Sequence, residues 1–195
     1  MPGWKTFLVE PSEFCRRSLR RFGDSTPVHF HDASVVIDEQ FRSPGEYGAG
    51  LLKTGYETDP RWPLACACGY VFPESDHWQV NEDRLYRGAP DGKLYALREL
   101  PPGAIWRAKW MEDVSPNLYA APDGKAWALM MPAGVEWLIY GPATGGGKWD
   151  VQGTLPDITV SPSILQTGCY HGFVKGGVIS PDCEGREFPK HPFTA

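Results

Sequence analysis

Two stretches of this 195-residue chain repeat one pattern, 32 residues apart at the turn glycine. Leu85-Tyr86 leads to Pro90-Asp91-Gly92-Lys93, then to Tyr95-Ala96-Leu97, Gly103 and Trp106. Leu118-Tyr119 leads to Pro122-Asp123-Gly124-Lys125, then to Trp127-Ala128-Leu129, Gly134 and Trp137. Proline presets φ at one turn position, aspartate bonds its own local backbone, and glycine takes the position that needs positive φ. Each copy reads as strand, Pro-Asp-Gly turn, strand, and predicts a β-hairpin. A duplication and two independent uses of a favoured turn fit the spacing equally well. Two copies are too few for a solenoid or a propeller.

The wider chain is punctuated in the same way. It holds 22 Gly, 19 Pro, 8 Trp and 8 Tyr, which predicts short strands, many turns and aromatic side chains as the main packing units. Strands are expected over 4–9, 28–37 and 135–140. Two short strands are expected within 155–165, broken at Ser161-Pro162, and a last hairpin over 169–179 with glycines at its bend. One helix is expected over 13–22, opened by Ser12 as N-cap and closed at Gly23. Its helical period places Phe14, Cys15, Ser18, Leu19 and Phe22 on one face and Arg16, Arg17, Arg20 and Arg21 on the rest. Residues 38–63, rich in Gly, Pro and charge, read as a long loop, and 181–195 as a loosely held tail. The expected fold is therefore mostly β (α+β). It is a single domain of β-hairpins over 1–180, with one short N-terminal helix.

A net charge of -5 argues against bulk electrostatic binding to nucleic acid, and the four-arginine face, which could touch phosphate, is better read as a solvated face of a surface helix. No apolar run approaches the roughly 20 residues of a membrane span. The opening Met1-Pro2-Gly3-Trp4-Lys5 lacks the features of a secretory leader. The expected location is the cytosol or a particle assembled there. Five cysteines, an odd number in a reducing setting, favour metal ligation over a disulfide framework.

Cys66-Ala67-Cys68-Gly69-Tyr70-Val71-Phe72 resembles half of a metal knuckle, with glycine supplying the bend that turns N–H groups toward two thiolates. Zinc wants four ligands in a tetrahedron. Cys169 and His171 repeat the same spacing beside a glycine, giving one set of Cys66, Cys68, Cys169 and His171. His31, beside Asp32, competes for one place and gives a second set of His31, Cys66, Cys68 and His171. The role expected for the ion is structural, because neither H-E-x-x-H nor the zinc-deaminase pattern occurs.

Other chemistry is sparse. Gly145-Gly146-Gly147-Lys148 lacks the P-loop spacing, since Trp149 follows the lysine, and no G-x-S-x-G elbow occurs. Cys15 and Cys183 read as bystander thiols, and His29, His77 and His191 as surface or hydrogen-bonded residues.

The opening Met1 to Pro11 with Arg16-Arg17-Ser18-Leu19-Arg20-Arg21 resembles a family of small, uncharacterised proteins of actinobacteria and their phages. The resemblance extends through His31-Asp32-Ala33-Ser34-Val35, Asp59-Pro60-Arg61-Trp62-Pro63, Cys68-Gly69-Tyr70 with Phe72, Trp78-Gln79-Val80 and His171-Gly172-Phe173. Its knuckle usually reads C-x-x-C-G-Y, one residue longer than here, and relatives carry a non-cysteine at the place of Cys169. The resemblance thus implies His31, Cys66, Cys68 and His171 as ligands, with Cys169 as a nearby substitute, and it implies a phage setting.

The expectation is a zinc-stapled, non-enzymatic accessory protein that binds another macromolecule, as a virion component or an infection factor. One alternative is a metal-dependent hydrolase with an open zinc position. Another is a nucleic-acid binder using Arg16, Arg17, Arg20 and Arg21.

Overall fold

In a computed structural model, the described residues are 3–21, 31–36, 60, 64, 65, 69–71, 78–143 and 146–189. In chain order the strands are β1 (Trp4–Lys5), β2 (Phe7–Leu8), β3 (Glu10–Arg21), β4 (His31–Val36), β5 (Trp78–Arg87), β6 (Tyr95–Ala96), β7 (Ala104–Arg107), β8 (Trp127–Met130) and β9 (Glu136–Leu138). They continue with β10 (Asp150–Thr154), β11 (Asp157–Ser161), β12 (Ile164–Gln166), β13 (Tyr170–Gly172), β14 (Val174–Lys175) and β15 (Val178–Ile179). The helical elements among them are α1 (Lys109–Val114) and one 3₁₀ turn, Leu97–Glu99. The fold is mostly β, as the Gly and Pro punctuation predicts. Its residues cluster into two compact units, one of 1–10, 87–94 and 98–195, the other of 11–86 and 95–97.

The second unit corrects the N-terminal helix. Residues 10–21 form strand β3, which pairs antiparallel with β4 from Phe14↔Val36 to Leu19↔His31, in a sheet ordered β4-β3-β5-β6. Its helical spacing of apolar residues is overridden by a β-branched partner strand that satisfies the backbone ladder. Ser12 caps no helix. Its hydroxyl donates to the Leu85 carbonyl at 2.7 Å and accepts the Phe14 N–H at 3.1 Å. With a strand in place of the helix, the helical face expected to carry Arg16, Arg17, Arg20 and Arg21 does not form. The expected loop over 38–63 lies almost wholly outside the described residues.

The first unit explains why 4–9 is two strands. Thr6 is buried, its N–H donates to the Gly177 carbonyl at 2.8 Å, and its hydroxyl reaches the carbonyls of Pro156 and Gly177. That break lets β1 pair with β15 while β2 runs parallel to β7 in a sheet ordered β2-β7-β8-β9. β10–β11 and β12–β13 form two further antiparallel pairs, the second separated from the first at Ser161-Pro162 as expected. The core joins these sheets through Trp4, Ile105, Leu129, Met131, Ile139, Ile158, Ile164, Tyr170, Val174 and Ile179. Each such side chain fully removed from water contributes on the order of 1.5–3 kcal/mol.

Both Pro-Asp-Gly turns form with the same bonds. Gly92 N–H reaches the Ala89 carbonyl and Gly124 N–H the Ala121 carbonyl, each at 2.9 Å. Asp91 accepts the Lys93 N–H at 3.1 Å, and Asp123 the Lys125 N–H at 3.0 Å. The first turn closes a hairpin of β5 and β6, Tyr86 facing Tyr95. The second closes only the bridge Ala120↔Ala126, because α1 and the turns after it occupy the chain ahead of it, and β8 pairs with β7 and β9 instead.

The tail is also corrected. Residues 181–189 are fastened, with Asp182 buried and the Phe188 ring 6.0 Å from Trp4 and 6.2 Å from Tyr170. Residues 190–195 lie outside the described ones.

Candidate functional site

Of the expected metal ligands, Cys66, Cys68 and the side chain of His31 lie outside the described residues. Cys169 and His171 are described, and they belong to the first compact unit while His31, Cys66 and Cys68 belong to the second. Among the described residues no group of three His, Cys, Asp or Glu side chains is placed to hold a metal ion. Cys169 ends a turn, its N–H on the Gln166 carbonyl at 2.8 Å, and carries a free thiol.

His171 sits on β13 with both ring nitrogens in use. Nε2 lies 3.2 Å from Ser163 Oγ, and Nδ1 lies 3.3 Å from Glu184 Oε1. Its backbone is held as well, the N–H on Asp182 Oδ2 at 2.7 Å and the carbonyl accepting the Cys183 N–H at 2.7 Å. Asp182 is the hub of this corner. Besides His171 it accepts the Glu184 N–H at 2.8 Å, the Arg186 N–H at 3.2 Å and Arg186 Nη1 at 3.0 Å. Burial pushes its carboxyl up, but the hydrogen bonds outweigh burial and hold its pKa below the ordinary carboxylate value. Glu184 also pairs with Arg186. A carboxylate that orients a ring nitrogen is the usual companion of a metal-ligating or a catalytic histidine. Here the same bonds also fasten the segment after Ser180.

Two open recesses mark the surface of the first unit. The larger, about 800 Å³, is walled by proline turns and the fastened tail, chiefly Pro102, Pro132, Ala133, Cys169, Phe188 and Pro189. The smaller, about 240 Å³, is lined by Tyr119, Trp137, Trp149, Glu136, Leu138 and Pro142, with Gly141 at its base. Trp137 and Trp149 meet edge to face, centroids 5.2 Å apart and planes at 88°. Trp137 is placed by β9, where it pairs with Leu129. Trp149 is placed by a loop tied at Pro142↔Lys148 and by Ala143 N–H on the Gly147 carbonyl at 3.0 Å. Residues 146–148 of the glycine run are described, and their bonds make them part of a turn that leads into Trp149. The Tyr119 ring seats on Gly141, where an added Cβ would stand 2.9 Å from Tyr119 Cε1. Burial raises the Glu136 carboxyl above its ordinary value.

Sequence reasoning reached Trp137 through the repeat and His171 through its spacing. It missed Glu136, Tyr119 and Trp149 as one group, and Ser163, Asp182 and Glu184 as another. The first group is spread over 119–149 and the second over 163–184, on strands and loops alike, so the folding of the chain and no local sequence pattern brings each together.

Comparison of the chain with protein-family models, curated proteins and solved structures gives no match. Among the described residues, no helix is long and apolar enough to cross a membrane.

Proposed function

We propose that this chain is a zinc-stapled, non-enzymatic accessory protein of phage type that acts by binding another macromolecule, as a virion component or an infection factor. The observation that carries this reading is the large open groove walled by Pro102, Pro132, Ala133, Phe188 and Pro189. Prolines and a seated aromatic ring are already ordered, so a partner that covers them costs little conformational entropy. The test places a photo-crosslinking residue at position 133 of the full chain, made in infected actinobacterial cells. Position 93, in the exposed first turn, serves as control. A discrete macromolecular adduct at 133, absent at 93 and suppressed by excess unlabelled chain, supports the reading. Equal or diffuse labelling at both positions contradicts it.

The zinc part of the proposal keeps His31, Cys66, Cys68 and His171 as ligands and Cys169 as substitute. It draws support from the Glu184 contact, which would hold the His171 ring while Nε2 takes the ion. Cys68→Ser and His171→Ala should each lower bound zinc and melting temperature together, since a structural site contributes on the order of ten kcal/mol. Full zinc content and unchanged melting in both variants would remove zinc from the account.

One observation favours hydrolysis as a second reading. Ser163 is hydrogen-bonded to His171, and Glu184 lies 3.3 Å from the other ring nitrogen, the order of a nucleophile, a base and its carboxylate. Ser163 lines neither recess, and Arg186 shares Glu184, which is why binding is preferred. Turnover of a p-nitrophenyl ester that Ser163→Ala abolishes would reverse that preference.

A further inference from the structure

The two Pro-Asp-Gly turns match in sequence and in their internal bonds, and they differ in what holds their ends. An aspartate followed by glycine is open to attack on its own side chain, because glycine places no Cβ beside the backbone nitrogen that attacks. The chain has two such steps, Asp91-Gly92 and Asp123-Gly124. At neither glycine does anything stand within 4 Å of an added Cβ, so the space beside each is open.

The closed turn suppresses the attack in both. Each glycine N–H is tied across the turn to an alanine carbonyl at 2.9 Å, and each aspartate Oδ1 accepts the lysine N–H two residues on. Reaction therefore needs the turn to open, and its rate follows how often the turn does so.

Opening meets different resistance at the two sites. The first turn is continued at once by the ladder pairs Tyr86↔Tyr95 and Leu85↔Ala96, in which Leu85, Tyr86 and Ala96 are buried. The second is continued by the isolated bridge Ala120↔Ala126, with irregular chain over 115–119 ahead of it in place of a strand. The Asp123 side chain is 45% exposed against 19% for Asp91, so it also has more room to swing toward its own backbone.

We propose that Asp123-Gly124 is a site of spontaneous isoaspartate formation, and that its hairpin protects Asp91-Gly92 from the same change. In the opened turn the Gly124 backbone nitrogen bonds to Asp123 Cγ. One carboxylate oxygen leaves as water, taking the Gly124 amide hydrogen and one proton from solvent, and a five-membered succinimide closes. A water then adds back to one of the two ring carbonyls. Opening at Cγ restores aspartate. Opening at the main-chain carbonyl leaves the chain running through Cγ, with the former main-chain carbonyl as the free carboxylate. Mass is unchanged, and nothing is oxidised or reduced. The chain between Ala120 and Ala126 gains one backbone carbon, and the carboxylate that held the Lys125 N–H is lost from its place. This site is independent of the binding reading.

The experiment incubates the full chain in warm neutral buffer and follows both steps by peptide mass spectrometry. Isoaspartate is scored by its shifted chromatographic retention and by methylation with an isoaspartate methyltransferase and labelled S-adenosylmethionine. In the folded chain isoaspartate should build up several-fold faster at 123 than at 91. In urea the two rates should converge, because the local sequence Pro-Asp-Gly-Lys is the same. Asp123→Glu, which keeps the charge and would need a larger ring, should abolish the signal at 123 and leave that at 91 as it was. Equal rates at the two steps of the folded chain, or a faster rate at 91, overturn the proposal. So does a folded chain that stays unmodified at 123 over a time in which the chain in urea converts.

Discussion

The two copies of the repeat are used in opposite ways. In the first, the turn at Gly103 is gripped from both sides, its N–H on the Met130 carbonyl and its carbonyl accepting the Phe7 N–H, each at 2.9 Å. Trp106 behind it is fully buried. In the second, the turn at Gly134 makes its bond within itself, to the Met131 carbonyl, and borders the large groove. Trp137 behind that one forms a wall of the aromatic recess. A shared pattern of turn and tryptophan therefore lies inside a sheet in one place and at a sheet edge in another, with both tryptophans buried. What decides is the neighbour in the sheet: β7 lies between β2 and β8, while β9 is an edge.

The comparison can be broken at its tryptophans first. Trp106→Ala removes a fully buried ring and should cost about 3–5 kcal/mol, enough to unfold much of the first unit. Trp149→Ala, at a partly exposed position, should cost less than half of that. Urea denaturation of both variants measures the contrast, and equal losses would erase the distinction between inner strand and recess.

The glycines give a smaller effect of the same sign. Both adopt positive φ, +94° at Gly103 and +73° at Gly134. At Gly134 nothing stands within 4 Å of an added Cβ, so Gly134→Ala should cost only the backbone strain, about 1–2 kcal/mol. At Gly103 the added Cβ would also collide with the Lys5 carbonyl, so Gly103→Ala should cost clearly more. Melting temperatures of the two variants test this.

Acid should loosen the fastened tail ahead of the repeats. The Asp182 pKa is depressed in the folded chain, so its contribution is fully present above the unfolded value near ~4 and is lost as pH falls through the lower folded value. Amide exchange at 182–186 should quicken below about pH 4, while that of β7 and β8 stays slow. Asp182→Asn should make those amides quick at neutral pH and remove the acid step. The smallest effect is expected at the turns, where Asp91→Ala and Asp123→Ala each remove one exposed backbone contact and should cost about 0.5–1 kcal/mol alike.

The β class, both Pro-Asp-Gly turns and the break at Ser161-Pro162 were legible because proline and glycine act locally. The helix at 13–22 was misread because its apolar spacing fits a helix, while the long-range partner β4 decides for a strand. The second hairpin failed for a related reason: α1 intervenes, so β8 finds β7 across it. Trp137 was visible through the repeat. Its companions Tyr119, Glu136 and Trp149 were not, since an edge strand and two loops converge on them without any sequence period. His171 was singled out by its spacing, but its contacts with Ser163 and Glu184 depend on the pairing of β12 and β13 and on the return of the chain after Ser180.

The most direct test of the contrast between the inner strand and the recess is fluorine NMR of the chain with all 8 tryptophans replaced by 5-fluorotryptophan, titrated with a soluble paramagnetic relaxation agent. The account predicts that the resonance of the half-buried Trp149 broadens while that of the fully buried Trp106 stays sharp. Broadening of Trp106 as large as that of Trp149 would contradict it.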